Sequence, residues 1–236
     1  MLANMAVRLR QVALVARDLE TVETDLVAAL GVEACVHDLG VEQFGLNNVL
    51  FPVGERLLEV VAPFRSGTSA GRFLDRRGGD GGYMVLFQVD ELEIVRERIA
   101  DLGVRVVLEA VGPGVLGLHL HPSDVGGAIV SVDQTDRWDD WPWAGFNWRD
   151  HVRTDVVSDL VTVEVAVVDP ESTATLWAAL LGLSVDGTTI SGDDDGCEVR
   201  FIPVSDSGKG VSGLEFRATH HADLLVGGVS MALRPA

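Results

Sequence analysis

Apolar positions recur along this chain in one repeated order. From Leu9 to Val15 they run almost unbroken. After Asp18, placed as a helix cap, Leu19, Val22, Leu26, Val27 and Leu30 return at helical spacing until Gly31 stops them. Glu33–Val36, Asn47–Val53 and Arg56–Val61 then read as extended, the last two joined by a Gly54-Glu55 hairpin turn. The pattern predicts strand, helix, strand, strand, strand.

The same order begins again at Gly82–Val89, with Asp90 at the cap, Leu92, Val95, Ile99 and Leu102 as the helical stripe, and strands at Val104–Leu108, Val115–His121 and Ala128–Asp133. A third copy starts at Val161–Val167 and passes through Asp169-Pro170-Glu171 into a helix ending at Leu181-Gly182. It continues with strands near Leu183–Val185 and Glu198–Pro203. A fourth opens at Gly210–Ala218 and is cut short. One such unit cannot close a core alone, so units must pair. The expectation is an α+β fold of βαβββ modules: a complete domain over residues 1–135 (modules 8–63 and 81–134), a linker over 136–155, and a degenerate, truncated second domain over 156–236.

Four of the five tryptophans fall between Trp138 and Trp148, in the linker. A flexible linker is polar and Gly/Ser-rich, so this one is expected to pack, either as a clamp between domains or as a lid over a ligand pocket.

Composition narrows the function. With Lys+Arg 18 against Asp+Glu 36 the net charge is −18, which repels phosphate backbones and anionic membranes and argues against nucleic acid as a partner. No stretch approaches the ~18 uninterrupted apolar residues of a membrane span, and the N-terminus lacks a signal-peptide core, so a soluble cytoplasmic protein is expected. Cys35 and Cys197 are far apart and form no CxxC pair; two buried or idle thiols are expected. Asp193-Asp194-Asp195 lacks the alternating ligands of a calcium loop and reads as a solvated turn. His119 and His121, two apart on one strand, share a face, which by spacing alone is half a metal site.

Several of these stretches resemble a family. The paired modules, the opening Gln11-Val12-Ala13-Leu14-Val15-Ala16-Arg17-Asp18, the run Phe73-Leu74-Asp75-Arg76-Arg77-Gly78-Gly79 before Tyr83–Asp90, and His121-Pro122 followed by Gly126-Gly127 are similar to the vicinal oxygen chelate superfamily. That superfamily includes glyoxalases, bleomycin-resistance proteins, extradiol dioxygenases and methylmalonyl-CoA epimerases; the likeness is strongest to the epimerase branch. It implies a curled mixed sheet forming a cup, with a divalent metal held by one residue from the first and last strand of each module. Here those positions carry Gln11, Glu59, Met84 and Ser131, of which Glu59 alone is a strong ligand. The expectation is therefore no metal or other cofactor, any residual affinity lying at Gln11 and Glu59.

The likeness also implies that Leu118 and Leu120 face the cup while His119 faces the helix layer. His119 stays open as a layer histidine, a cup residue or a ligand. His121 is expected to fix the turn or touch a ligand at the rim. Glu59, beside Leu50 and Leu120, is read either as an acid/base kept neutral by desolvation or as a carboxylate bridged to Gln11, with Asn48 on the same face across the hairpin. The matching second-domain positions, Thr162, Val199 and Gly213, carry no ligand chemistry.

The functional expectation is a glyoxalase-like protein holding a small organic metabolite among Gln11, Asn48, Leu50, Glu59, Met84, Leu120, His121 and Ser131, with a homodimer an open option. Three readings divide it. An isomerase or lyase would use Glu59; a sequestering or sensing module would bind without turnover; a structural partner protein would have the cup filled by its own side chains.

Overall fold

The computed structural model describes residues 5–38, 40–192, 196–205 and 208–235. The first half runs β1 (Val7–Val15), α1 (Leu19–Leu30), β2 (Val36–His37), β3 (Leu46–Val53), β4 (Arg56–Pro63), α2 (Ser69–Arg77), β5 (Gly81–Val89), α3 (Leu92–Asp101), β6 (Val106–Gly112), β7 (Val115–Leu120) and β8 (Ile129–Thr135). The second runs β9 (Val157–Val167), α4 (Pro170–Leu181), β10 (Ser184–Asp186), β11 (Thr189–Ser191), β12 (Glu198–Pro203), β13 (Gly210–Ala218), β14 (Ala222–Val226) and β15 (Val229–Pro235). Strand order is β2-β3-β4-β1-β5-β8-β7-β6 in one sheet and β10-β11-β12-β9-β13-β15-β14 in the other, so the α+β duplication is present in both. Each half places its two first strands, β1 and β5 or β9 and β13, antiparallel at the centre, each flanked by a parallel last strand of its module.

Local chemistry explains most element ends. The Asp18 and Asp169 carboxylates accept from the backbone N–H of Thr21 and Ser172, and Gly31 and Gly182 close the same helices in the left-handed conformation. The sequence pattern missed α2, a short polar helix capped by Thr68, whose hydroxyl accepts from Gly71 N–H at 2.9 Å. It also put Asp90 at the cap of α3; the cap is Glu91, and Asp90 accepts instead from Ala6 N–H at 2.8 Å.

The fourth unit is reduced from within rather than simply cut off: β13 passes straight to β14 and β15 with no helix between, and one strand fewer completes the sheet. What replaces the missing layer is the other half. A single core runs through both, including Val12, Leu26, Val85 and Phe87 from the first and Val163, Trp177, Phe201 and Phe216 from the second. Trp177 is 1% exposed, meets Phe87 and Phe201 edge-on at 6.0 and 5.0 Å, and donates its indole N–H to Val125 O at 2.8 Å. Where β5 meets β13 a Cβ on Gly82 would lie 2.3 Å from Val211, so no larger residue fits there. Among the described residues no helix is long and apolar enough to cross a membrane.

Because the core is shared, truncating Trp177 should be felt by both halves. Trp177→Ala should cost about 3–5 kcal/mol and lower one common unfolding midpoint. Two separated transitions in calorimetry would contradict a shared core.

Candidate functional site

Side chains alternate across the first sheet, and its register decides which meet on the concave face. Across β4, β1, β5 and β8, one row holds Glu59, Ala13, Met84 and Ile129, and the next holds Leu57, Gln11, Leu86 and Ser131. The predicted quartet Gln11, Glu59, Met84 and Ser131 is thus brought to one face. Between Leu9 and Gln11 the β1–β5 register shifts by a bulge, which adds Arg10 to the same neighbourhood. Asn48 and Leu50 reach it from β3 across the tight Gly54-Glu55 turn.

Glu59 sits at the centre, 7% exposed. Gln11 Nε2 donates to its Oε2 at 2.9 Å and Asn48 Nδ2 to its Oε1 at 2.7 Å. Burial pushes the carboxyl above the usual range, and the two amide donors pull it back. Both sequence readings of Glu59 therefore describe one group: desolvated, and bridged to Gln11. Leu50 is beside it; Leu120 is not.

The remaining space is taken by the chain itself. The tryptophan-rich segment turns back over the sheet in two short 3₁₀ turns, Pro142–Ala144 and Trp148–His151. Trp141 and Trp148, 1% and 2% exposed, pack with Leu50, Leu57, Leu86 and Ala144. Trp141 Nε1 donates to Gln11 Oε1 at 2.7 Å, and the Arg10 guanidinium lies 5.0 Å from the Trp148 ring and 5.8 Å from that of Trp141. The linker is chiefly neither a clamp nor a lid over an open pocket; it is the filling of the cup.

These residues do not fit a divalent ion. Each Glu59 oxygen already accepts an amide N–H, the Gln11 oxygen is taken by Trp141, Met84 offers a soft thioether and Ser131 a neutral hydroxyl. Among the described residues no three His, Cys, Asp or Glu side chains cluster as metal ligands do. Cys35, at the cup's edge, is half-buried with its thiol pushed up to about 11 by desolvation, so it is no ready thiolate.

Over β7 and β8 the facing is the reverse of the expectation. Leu118 and Leu120 are fully buried in the shared core, because those apolar side chains complete the layer under the sheet; Leu120 is not a cup residue. His119 lies opposite Ser131 on the concave side, half-buried, its imidazole pushed down to about 4 by desolvation and so neutral. His121 is a turn residue: its Nδ1 accepts from Ser123 N–H at 3.2 Å. In the second half Val199 points into the shared core, and the opposite face carries a Glu164–Arg200 ion pair at 3.2 Å. Asp193-Asp194-Asp195 lies outside the described residues.

Sequence reasoning passed over Asp133. It is two residues beyond Ser131 on the same face, opposite Gly117, whose missing side chain makes room for it. Burial raises its carboxyl to about 7, against the pull of the Ser131 hydroxyl and of the Trp143 indole N–H, 3.3 Å from Oδ1. Alternation from Ser131 and the facing glycine were the signals available.

A cavity of about 460 Å³ lies elsewhere, between the halves, walled by Arg8, Arg10, Glu55 and Trp138 on one side and Asp159 and Leu183 on the other.

No family model matches the chain. The mitochondrial methylmalonyl-CoA epimerase of Bos taurus is 27% identical over 130 residues, covering 54% of this chain and 74% of that protein. The ethylmalonyl-CoA/methylmalonyl-CoA epimerase of Cereibacter sphaeroides is 26% identical over 137 residues, covering 54% of this chain and 97% of its own. Among solved structures, a hypothetical protein from Staphylococcus aureus superposes at a TM-score of 0.74 over 98% of this chain and 100% of its own, at 12% identity, which speaks for the fold of both halves together.

Asp133 gives a pH signature. Its folded pKa, about 7, is raised above the ordinary 3.8, so its favourable contribution is complete below pH 3.8 and is lost as pH climbs to 7. Asp133→Asn cannot ionise. Its stability relative to the unmodified chain should grow by a few kcal/mol between acid and neutral pH, read from urea midpoints along a pH series. A pH-independent difference would contradict the assignment.

Proposed function

We propose that this chain, whose first half has the vicinal oxygen chelate fold near the methylmalonyl-CoA epimerase branch, is a small-molecule-binding protein that has given up epimerase chemistry and works without a metal in its cup. One observation carries this reading: the Trp141 indole stands in the cup and bonds to Gln11, which in turn bonds to Glu59.

Exchanging a proton next to a thioester carbonyl requires a base that reaches the α-carbon, a second acid on the opposite face, and a group that stabilises the enolate. Glu59 has both oxygens engaged and is covered. On the facing strands the corresponding groups are Met84 and Ser131, and neither exchanges protons at neutral pH. Met84 and Leu86 present apolar surface to the tryptophans rather than a polar cradle. Binding is assigned instead to the cavity between the halves, whose size falls among small-molecule sites.

A second reading keeps Glu59 as an acid/base. It draws on the raised carboxyl pKa, since a catalytic carboxyl gains from being tuned towards neutrality. It requires the tryptophan segment to leave the cup.

Deuterium exchange separates the two. With methylmalonyl-CoA in D2O, followed by mass spectrometry, the chain should incorporate no label above the buffer rate, with or without added cobalt or manganese. Incorporation that disappears in Glu59→Gln would establish the enzyme and overturn the binding reading.

A further inference from the structure

We propose that Arg72 and Arg76 of α2, together with the Tyr83 hydroxyl, bind the phosphate group of a small molecule at the surface of the first half. This goes beyond the reading above. None of the three residues lines the cavity between the halves, and the test does not depend on that cavity.

Pairing is the first ground. Acidic residues outnumber basic ones by 36 to 18, so a partner is at hand for most arginines: Arg96 has Glu109, Arg105 has Asp124 and Arg234 has Asp223. Arg65, Arg72 and Arg76 are exposed, and none of them pairs with a carboxylate among the described residues. Arg65 donates to the backbone oxygens of Glu42 and Gln43 at 2.9 and 3.2 Å, and Arg72 to Gly67 O at 2.6 Å and the Ser69 hydroxyl at 2.9 Å; neutral acceptors of this kind leave the charge in place. Arg76 bonds to no described residue. The nearby carboxylates are taken: Asp75 accepts from Arg17 Nη2 and Asp80 from the Arg17 backbone N–H, each at 2.9 Å.

Placement is the second. Arg72 and Arg76 stand four apart on α2, so both leave one face of the helix, where like charges at that spacing oppose each other. The helix cannot turn to relieve them. Thr68 caps its start, and Ala70 and Leu74 fix its other face in a core with Val15, Val61 and Tyr83.

Tyr83 is the third. Its ring is held in that core, 7% exposed and edge-on to Phe73 at 5.3 Å. A buried tyrosine ordinarily bonds its O–H, yet this hydroxyl has no partner among the described residues and keeps contact with solvent. Burial raises its pKa while Arg72 and Arg76 pull it down, so the hydroxyl lies within the field of both cations. Two guanidinium forks and a neutral O–H are donors that suit phosphate oxygens. Two uncompensated cations also match a dianion better than a single carboxylate. The −18 net charge sets the size: a nucleic acid or an anionic membrane would extend over the acidic remainder of the surface, whereas a small dianion stays within a Debye length, about 8 Å, of the arginines.

The test titrates the full chain by calorimetry with inorganic phosphate and with phenyl phosphate, in sodium chloride of fixed ionic strength. At least one probe should bind saturably, with a dissociation constant of about a millimolar or tighter. Tighter binding of phenyl phosphate assigns the site to a phosphate ester, and tighter binding of inorganic phosphate assigns it to the free ion. Arg76→Gln should weaken binding about tenfold or more, and Tyr83→Phe, which keeps the ring, about three- to tenfold. Arg234→Gln, in the second half, should leave binding unchanged. Arg76 is exposed and bonds to no described residue, so its variant stays informative if Tyr83→Phe folds poorly. No saturable binding of either probe, an equal loss in Arg234→Gln, or undiminished binding in Arg76→Gln would each overturn the proposal. Label exchange from methylmalonyl-CoA decides the reading above and leaves this site untouched.

Discussion

A carboxylate under a sheet has to be answered by donors, and the answer given to Glu59 shapes the first half of this molecule. Gln11 and Asn48 each turn an amide N–H towards it, which leaves the Gln11 oxygen in need of a donor of its own. Trp141 supplies that donor from a segment more than a hundred residues away. Once the indole is placed, Ala144 and Trp148 follow it into the apolar space beside Leu50, Leu57 and Leu86. A polar requirement at one point thus fixes the path of a whole connecting segment, while hydrophobic burial provides most of the stabilisation.

The connection between the halves follows a similar economy. Where the fourth unit lacks a helix, its sheet gains cover from the first half, and Trp177 completes the arrangement by packing on Phe87. The seam left at the edge, too wide for side chains to fill, is the cavity lined by Arg8 and Arg10. Arg10 belongs to both regions: its buried guanidinium faces the two tryptophans of the cup, and the residue forms part of the seam's wall.

Much of this was legible in the residues. The repeat of strand and helix patterns located nearly every long element, the family likeness singled out Gln11, Glu59 and Ser131, and Asn48 followed from its place across one tight turn. Asp133, two residues beyond Ser131, was passed over because it is not one of the ligand positions the likeness implies. The facing of β7 was misread because His119 and the leucines around it were assigned by likeness rather than by the core they had to complete. Tryptophan density announced that residues 138–148 pack, but local pattern carries no information about which distant surface they pack against. The same limit hid α2, whose polar composition gives little periodic signal, and the seam, which exists only once both sheets are assembled.

The filling of the cup is covalently attached to the sheet it fills, only a few residues beyond the end of β8. A freely diffusing molecule seeking that space therefore meets an intramolecular competitor, and for short tethers the effective concentration is on the order of millimolar. Its apparent dissociation constant rises by about the ratio of that concentration to the dissociation constant of the tethered segment for its place. The curled sheet can persist in this way while its concave face is filled from within the same chain.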